Sequence, residues 1–407
     1  MKDPLEEAST NVGRRGASMI LVAVIVGVVL LAILRPGAQD AIAIVVGIIL
    51  MVMLHEAGHF VAARRSGMKV DEFFVGFGPR LWSFRRGETE FGVKAIPAGG
   101  YVRILGMSNL EEIAPEDEPR SFRQGSYRNR FIVVMAGVTV NILIAFLLFF
   151  IVIAGQGQVA DGVSTTVSQV VAGSAAADAG LRSGDKIVAV DGQPTPKWDQ
   201  LKAAIESRGG QEAEFTIQRN GRQQVVIATL AERSGQGFLG VGPATQFRSI
   251  GIFEAVPESL RVIGGITTGT ADGLARLFSP SGVQEYSKNF TSSAPKTGTP
   301  SADARPRSLV GIVDEGSNIV DGNIWALFWL LGGISLILAL FNMLPLLPFD
   351  GGHAVVVLYE WSASKITGRK VRVDFQKLMP VTAVVLFIFL TLGLSAMFLD
   401  IRQALGS

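Results

Sequence analysis

The stretch AIAIVVGIILMVMLHEAGHFVAA, residues 41–63, is apolar enough to cross a bilayer as one helix, for which about 20 residues suffice, yet its second half carries His55, Glu56 and His59. An ionisable side chain at mid-membrane costs at least about 2.5–3.5 kcal/mol on insertion scales, so three polar groups within five positions are hard to sustain without a function. Scarcity sharpens the point: the chain has three histidines, and the third is His353.

Four more apolar runs lie outward from this one, at Ala17–Leu34, Phe131–Ala154, Ile324–Leu344 and Pro380–Phe398. With 48% hydrophobic and 18% charged residues among 407 and a mean hydropathy of +0.38, the chain reads as a polytopic α-helical membrane protein of about five transmembrane helices. The first run follows Arg14 and Arg15, as a secretory signal also does; without a small-x-small cleavage site it reads as an anchor. A net charge of +2 gives no sign of a nucleic-acid partner, and the absence of cysteine leaves His, Asp and Glu as metal ligands.

Basic residues gather after the second run (Arg64, Arg65, Lys69, Arg80, Arg85, Arg86) and between the last two (Lys365, Arg369, Lys370, Arg372, Lys377). Both loops are therefore expected in the cytoplasm, with residues from about 155 to 323 outside. The first loop holds FFVGFGPRLWSFRRGETEFGVKAIPAGGYVRILGM, whose alternation between glycine-rich turns predicts short strands: a membrane-associated β-hairpin, or a solvated connector. The outside region predicts strands at KIVAVDG, EFTIQRNG and QQVVIATL, bounded by Asp-Gly and Asn-Gly turns, and a helix at 198–207. IFEAVPESLRVIGGITTGTADGLARLF reads as an amphipathic helix, and residues 279–307 as a Ser/Thr/Pro-rich linker. The expected division is 1–40, 41–154, 155–247, 248–323 and 324–407.

On a helix His55 and His59 share a face and can hold one cation, while Glu56 projects about 100 degrees round, beside it. This H-E-x-x-H spacing is that of zinc metalloproteases, with the carboxylate as general base. A catalytic zinc takes three protein ligands, so one is still needed. The candidate is Asp350 in FNMLPLLPFDGGH, residues 341–353, which arrives at the same membrane depth as His55. Pro345, Pro348, Gly351 and Gly352 make irregular chain there, which a bilayer tolerates where it is buried in protein or lines a watery cavity. Asp350 could instead cap the helix that starts at Gly351, and Asn141 and Asn342 could serve interhelical hydrogen bonding. Two imidazoles and a carboxylate accept several divalent ions.

With LHEAGHF, FFVGFGP, KAIPAGGYVRILGM, MAGVTVN and NMLPLLPFDGGH in this order, the chain resembles the site-2 protease family of intramembrane zinc metalloproteases, in its bacterial branch with PDZ insertions. The resemblance spans about 41–400 and implies Zn²⁺ on His55, His59 and Asp350, with Glu56 activating water. It also implies a substrate-positioning role for Asn342 and matches Asn141 to the asparagine of the family's central span. The implied partners are single-pass membrane proteins already shortened by another protease, often anti-sigma factors, and the implied location is the bacterial inner membrane. AAADAGLRSGDKIVAVDG resembles a circularly permuted PDZ domain, an extracytoplasmic α+β insert, in which Gly237, Leu239 and Gly240 look like a carboxylate-binding loop. That domain either binds a chain end or excludes bulky substrates. Departures from the family pattern are the added first span, Phe349 for Leu and Val138 for Pro. The rival reading is a membrane adaptor whose structural metal site is closed by His353.

Overall fold

The computed structural model describes Arg35 and residues 38–405, except 108–110, 160–163, 172, 234, 245–246 and 292–305. The expected first span, Ala17–Leu34, lies outside the described residues. Among the described residues four helices are long and apolar enough to cross a membrane: α1 (Ala38–Arg65), α2 (Tyr127–Gln156), α8 (Ile324–Asn342) and α10 (Phe375–Leu405). They coincide with the other four apolar runs, because in lipid only a helix satisfies every backbone group within one segment. Chain contacts divide the protein into two compact units, one of residues 1–152 and 259–407, the other Ile153–Glu258.

In the membrane unit, strands β1 (Val70–Arg86) and β2 (Thr89–Ile104) follow α1. They are longer than the short strands expected, and they bend. Residues 72–75 have Cα partners at 90–93 on one side and at 100–103 on the other, while 80–86 close on 89–94. Gly76 at φ +82° and Gly78 at φ +81° make the bend that lets two strands fill a sheet of four segments. Phe60 of α1 meets Phe73 and Phe91 edge-on, with ring centroids 5.6 Å apart in each case, and so seats the sheet against the helix.

Helix α9 (Asp350–Thr367) precedes α10. Its Glu360, 1% exposed, receives Arg130 Nη1 of α2, 3% exposed, at 2.5 Å and Arg372 Nη1 at 3.3 Å. Val373 N donates to the other oxygen at 2.8 Å. This buried network joins the start of α2, the body of α9 and the approach to α10. Helices α5 (Ile252–Leu277), α6 (Pro280–Thr291) and α7 (Leu309–Val320) occupy the stretch before α8. The first was expected. Helix α6 corrects the linker reading: Ser, Thr and Pro bias composition toward coil, but Tyr286 and Phe290, one turn apart, pack edge-on, and Phe290 stacks on Phe398 of α10.

The second unit opens with strands β3 (Gln158–Val159) and β4 (Val167–Val170) and the short helix α3 (Ala175–Asp178), and its four-stranded antiparallel sheet runs β6 (Gln193–Pro194), β5 (Lys186–Val190), β7 (Glu212–Arg219), β8 (Arg222–Thr229). Helix α4 (Trp198–Glu206) buries Leu201 and Ile205. Alternation decides the inward face of β7, where Ala213, Phe215 and Ile217 point into the core with Leu201 and Leu239. Each large apolar side chain so buried contributes about 1.5–3 kcal/mol. Asn220-Gly221 and Asp191-Gly192 hold positive φ at both central positions, the hairpin geometry expected from those dipeptides.

Candidate metal centre and active site

His55 and His59, each 7% exposed, lie one turn apart on the inward face of α1. The His59 Nδ1–H donates to the carbonyl of Val133 on α2 at 2.7 Å, which leaves Nε2 as a bare lone pair. That nitrogen stands 3.2 Å from His55 Nε2 and 3.2 Å from Asp350 Oδ2, and His55 Nε2 stands 3.3 Å from the same oxygen. Three donors on two elements nearly 300 positions apart in sequence thus form an almost equilateral triangle.

Asp350 reaches this point because α9 begins with it. Phe349 is the cap residue and makes no side-chain cap bond, so the carboxylate is turned to the imidazoles and is not itself the cap. Its place at a helix N-terminus suits a negative charge. The preceding turn is tight: a Cβ on Gly351 would meet Met343 O at 2.3 Å, and one on Gly352 would meet the Leu346 carbonyl carbon at 2.5 Å. Glycine is required at both because the backbone doubles back on itself. Gly137 of α2 plays the same part against the imidazoles, where an added Cβ would lie 2.3 Å from His59 Nε2 and 2.8 Å from His55 Nε2.

The donor set fits zinc. Tetrahedral coordination with bonds of about 2.0–2.1 Å separates ligand atoms by about 3.3–3.4 Å, and the observed separations are 3.2, 3.2 and 3.3 Å. Asp350 Oδ2 is buried with no hydrogen-bond partner, although two imidazole nitrogens stand within 3.3 Å. A lone pair facing a carboxylate oxygen in a dry site is repulsive unless a cation sits between them. Among the described residues the group able to hold a metal is His55, His59 and Asp350. His353 is outside it; its ring lies 5.9 Å from that of Phe375, at a cavity of about 340 Å³ by α10.

Glu56 Oε2 accepts a hydrogen bond from Val102 N on β2 at 3.0 Å. The β2 segment that pairs with 70–75 therefore turns its outer edge to this carboxylate. Asn141 is buried, one turn beyond Gly137 and on the same face of α2. Its Oδ1 has no hydrogen-bond partner, and its backbone carbonyl accepts from Ser335 Oγ of α8 at 2.9 Å. Asn342 is half-buried at the last position of α8.

Gly237, Leu239 and Gly240 belong to the other unit. Leu239 is buried in its core, so only backbone of that residue is available to a ligand. Cβ atoms on Gly237 and Gly240 would lie 2.1 Å from Ile205 O and 2.2 Å from Ser174 Cβ. Sequence reasoning missed Gly137, the Val133 carbonyl and the Val102 amide. A glycine beside the MAGVTVN asparagine was the available signal for the first; the two backbone groups left none.

A family profile described as Peptidase family M50 matches residues 43–390. The zinc metalloprotease Rip1 of Mycobacterium tuberculosis is 35% identical over 371 residues, covering 82% of this chain and 90% of that protein. Metalloprotease MmpA of Caulobacter vibrioides is 29% identical over 353 residues, covering 79% and 86%. A solved PDZ domain of an SdrC-like protein from Listeria monocytogenes aligns with 21% of this chain and 92% of its own, at 22% identity and a TM-score of 0.19.

Proposed function

Because the chain belongs to peptidase family M50 and is a zinc metalloprotease of the membrane, we propose that it hydrolyses a peptide bond inside the transmembrane segment of a single-pass membrane protein already shortened by another protease. His55, His59 and Asp350 hold the zinc in this reading, and Glu56 is the general base. The observation that carries it is the triangle of donors with a carboxylate on the next helical position. Three protein ligands leave a fourth place for solvent or substrate, as in catalytic zinc sites; a structural site needs a fourth protein ligand, and His353 stands outside the group.

A zinc ion held by His55, His59 and Asp350 would supply Lewis-acid chemistry there, polarising a carbonyl and acidifying water. Glu56 accepts the proton of the attacking water and returns it to the leaving amine. The Val102 amide fixes the orientation of that carboxylate. Asn141, with a buried and unpartnered Oδ1, and Asn342, at the lip of the proline turn, orient the substrate chain. A helical substrate hides its amides in hydrogen bonds and must be unwound first, and the outer edge of the 100–104 segment offers it a strand to pair with.

On the distribution of arginine and lysine, the hairpin lies on the cytoplasmic side of the inner membrane, and Ile153–Glu258 outside as a PDZ domain. That domain acts chiefly by excluding bulky substrates, and anti-sigma factors are the substrate class. The test is Glu56→Gln with a synthetic membrane-spanning peptide. Cleavage is expected to fall by at least about 10³-fold with zinc stoichiometry unchanged, within the range general base loss allows. Retained cleavage would remove Glu56 as the base, and a wild type that binds the peptide without cutting it would instead favour the adaptor.

A further inference from the structure

We propose that the groove between α1 and α2 is a binding site for a single anionic phospholipid, with its phosphate on Arg65 and Arg86 and an acyl chain lying along Gly58 and Ala136. Helix α1 has two working faces. His55 and His59 use one; Leu54, Gly58, Val61 and Arg65, at spacings of three and four, line the other. With Met135 and Ala136 of α2 they bound a largely apolar cavity of about 750 Å³. Its floor is close helix contact, since a Cβ on Gly58 would meet Ala136 O at 2.8 Å.

The groove does not end blindly. Val61 and Arg65 also line a second cavity of about 380 Å³, whose other walls include Arg64, Arg86 and Phe91. An apolar trough thus opens into a basic pocket at the end of α1, at the depth where headgroups lie. Arg64 is committed to Glu88 at 2.5 Å, and Arg120 holds the same carboxylate at 2.7 Å. Arg65 and Arg86 form no ion pair among the described residues, and no acidic side chain lines either cavity. Two unpaired guanidinium groups match a phosphodiester, which accepts their forked N–H donors, and an apolar chain matches the trough. A transmembrane peptide would fill the trough and leave the arginines without a counter-charge.

Full-length protein is reconstituted in nanodiscs of equal phosphatidylcholine and phosphatidylglycerol, and lipid retained after release is counted by native mass spectrometry. Wild type is expected to keep one phosphatidylglycerol in preference to phosphatidylcholine. Arg65→Gln and Arg86→Gln should each weaken retention about tenfold, as the loss of a charge-assisted contact does. Val61→Trp, which obstructs the trough and leaves the charges in place, should also abolish it. Arg85→Gln, one position from Arg86 and outside both cavities, should change nothing; an equal loss there makes the effect diffuse surface charge and overturns the proposal. Equal retention of the two lipids overturns it, and so does displacement of the lipid by a synthetic membrane-spanning peptide. Zinc content, unchanged in each variant, verifies that the membrane unit is intact.

Discussion

The functional centre turns on a few atoms, and one of them is a hydrogen. Gly137 has only that hydrogen facing the imidazoles, so Gly137→Ala forces a methyl to within 2.3 Å of His59 Nε2. Both rings are wedged, His59 also by its bond to the Val133 carbonyl, so the donor triangle must open. Zinc affinity is expected to fall by about 10–100-fold, the usual cost of disturbing what orients a ligand. Equilibrium dialysis against graded zinc would measure it, with helix content by circular dichroism unchanged. In the proposed reading Asp350→Ala removes a ligand outright and should leave a weaker two-histidine site. The placing of His55 and His59 on one face, with Glu56 beside them, was legible in the sequence because it depends on spacing within one helical turn. The part of Gly137 was not, since a close approach between helices depends on how α2 crosses α1, which no local pattern encodes.

Elements bring these residues together, and the chain spends its irregular segments and buried charge on that task. The turn from Met343 to Phe349 announced itself through Pro345, Pro348, Gly351 and Gly352, punctuation with local meaning. The bends in β1 and β2 were visible only as glycines; that one strand would pair on both sides depends on register between distant segments, so short strands were expected where two long ones occur. Helix α6 was hidden by composition and is held by Tyr286 and Phe290. The Arg130–Glu360 pair was also illegible, because neither residue has a sequence neighbour that betrays it. Removing one partner strands a buried charge: Glu360→Leu is expected to cost about 3–5 kcal/mol, whereas Arg130→Met with Glu360→Leu should cost less, because the guanidinium left behind is that of Arg372, which is a quarter exposed and also donates to the Arg123 carbonyl. Thermal unfolding of the purified protein in detergent, followed by tryptophan fluorescence, compares the two. A double variant as unstable as the single would mean that the pair itself supports the fold.

At the scale of the molecule, Ile153–Glu258 is an independent compact unit with its own core and its own electrostatic clasp, and that clasp makes its stability depend on pH separately from the membrane helices. Asp185, buried just before β5, receives Arg219 Nε at 2.7 Å and Nη2 at 2.6 Å, and the Arg182 amide at 2.8 Å. The Arg219 guanidinium, above all, holds the Asp185 carboxyl below the usual carboxylate range. A lowered folded-state pKa means that the stabilisation is fully present above the unfolded value and is lost as pH falls through the folded one. Arg219→Gln should therefore weaken this unit at neutral pH by about 2 kcal/mol, the scale of a hydrogen bond to a charged group. In acid, where Asp185 of the wild type also becomes protonated, the two proteins should converge. Hydrogen exchange of the β5 and β7 amides in the full chain, corrected for intrinsic rates from neutral pH into the acid range, reads this directly. A gap between variant and wild type that stayed constant through that range would mean that Arg219 acts by packing its aliphatic stem and not through its charge.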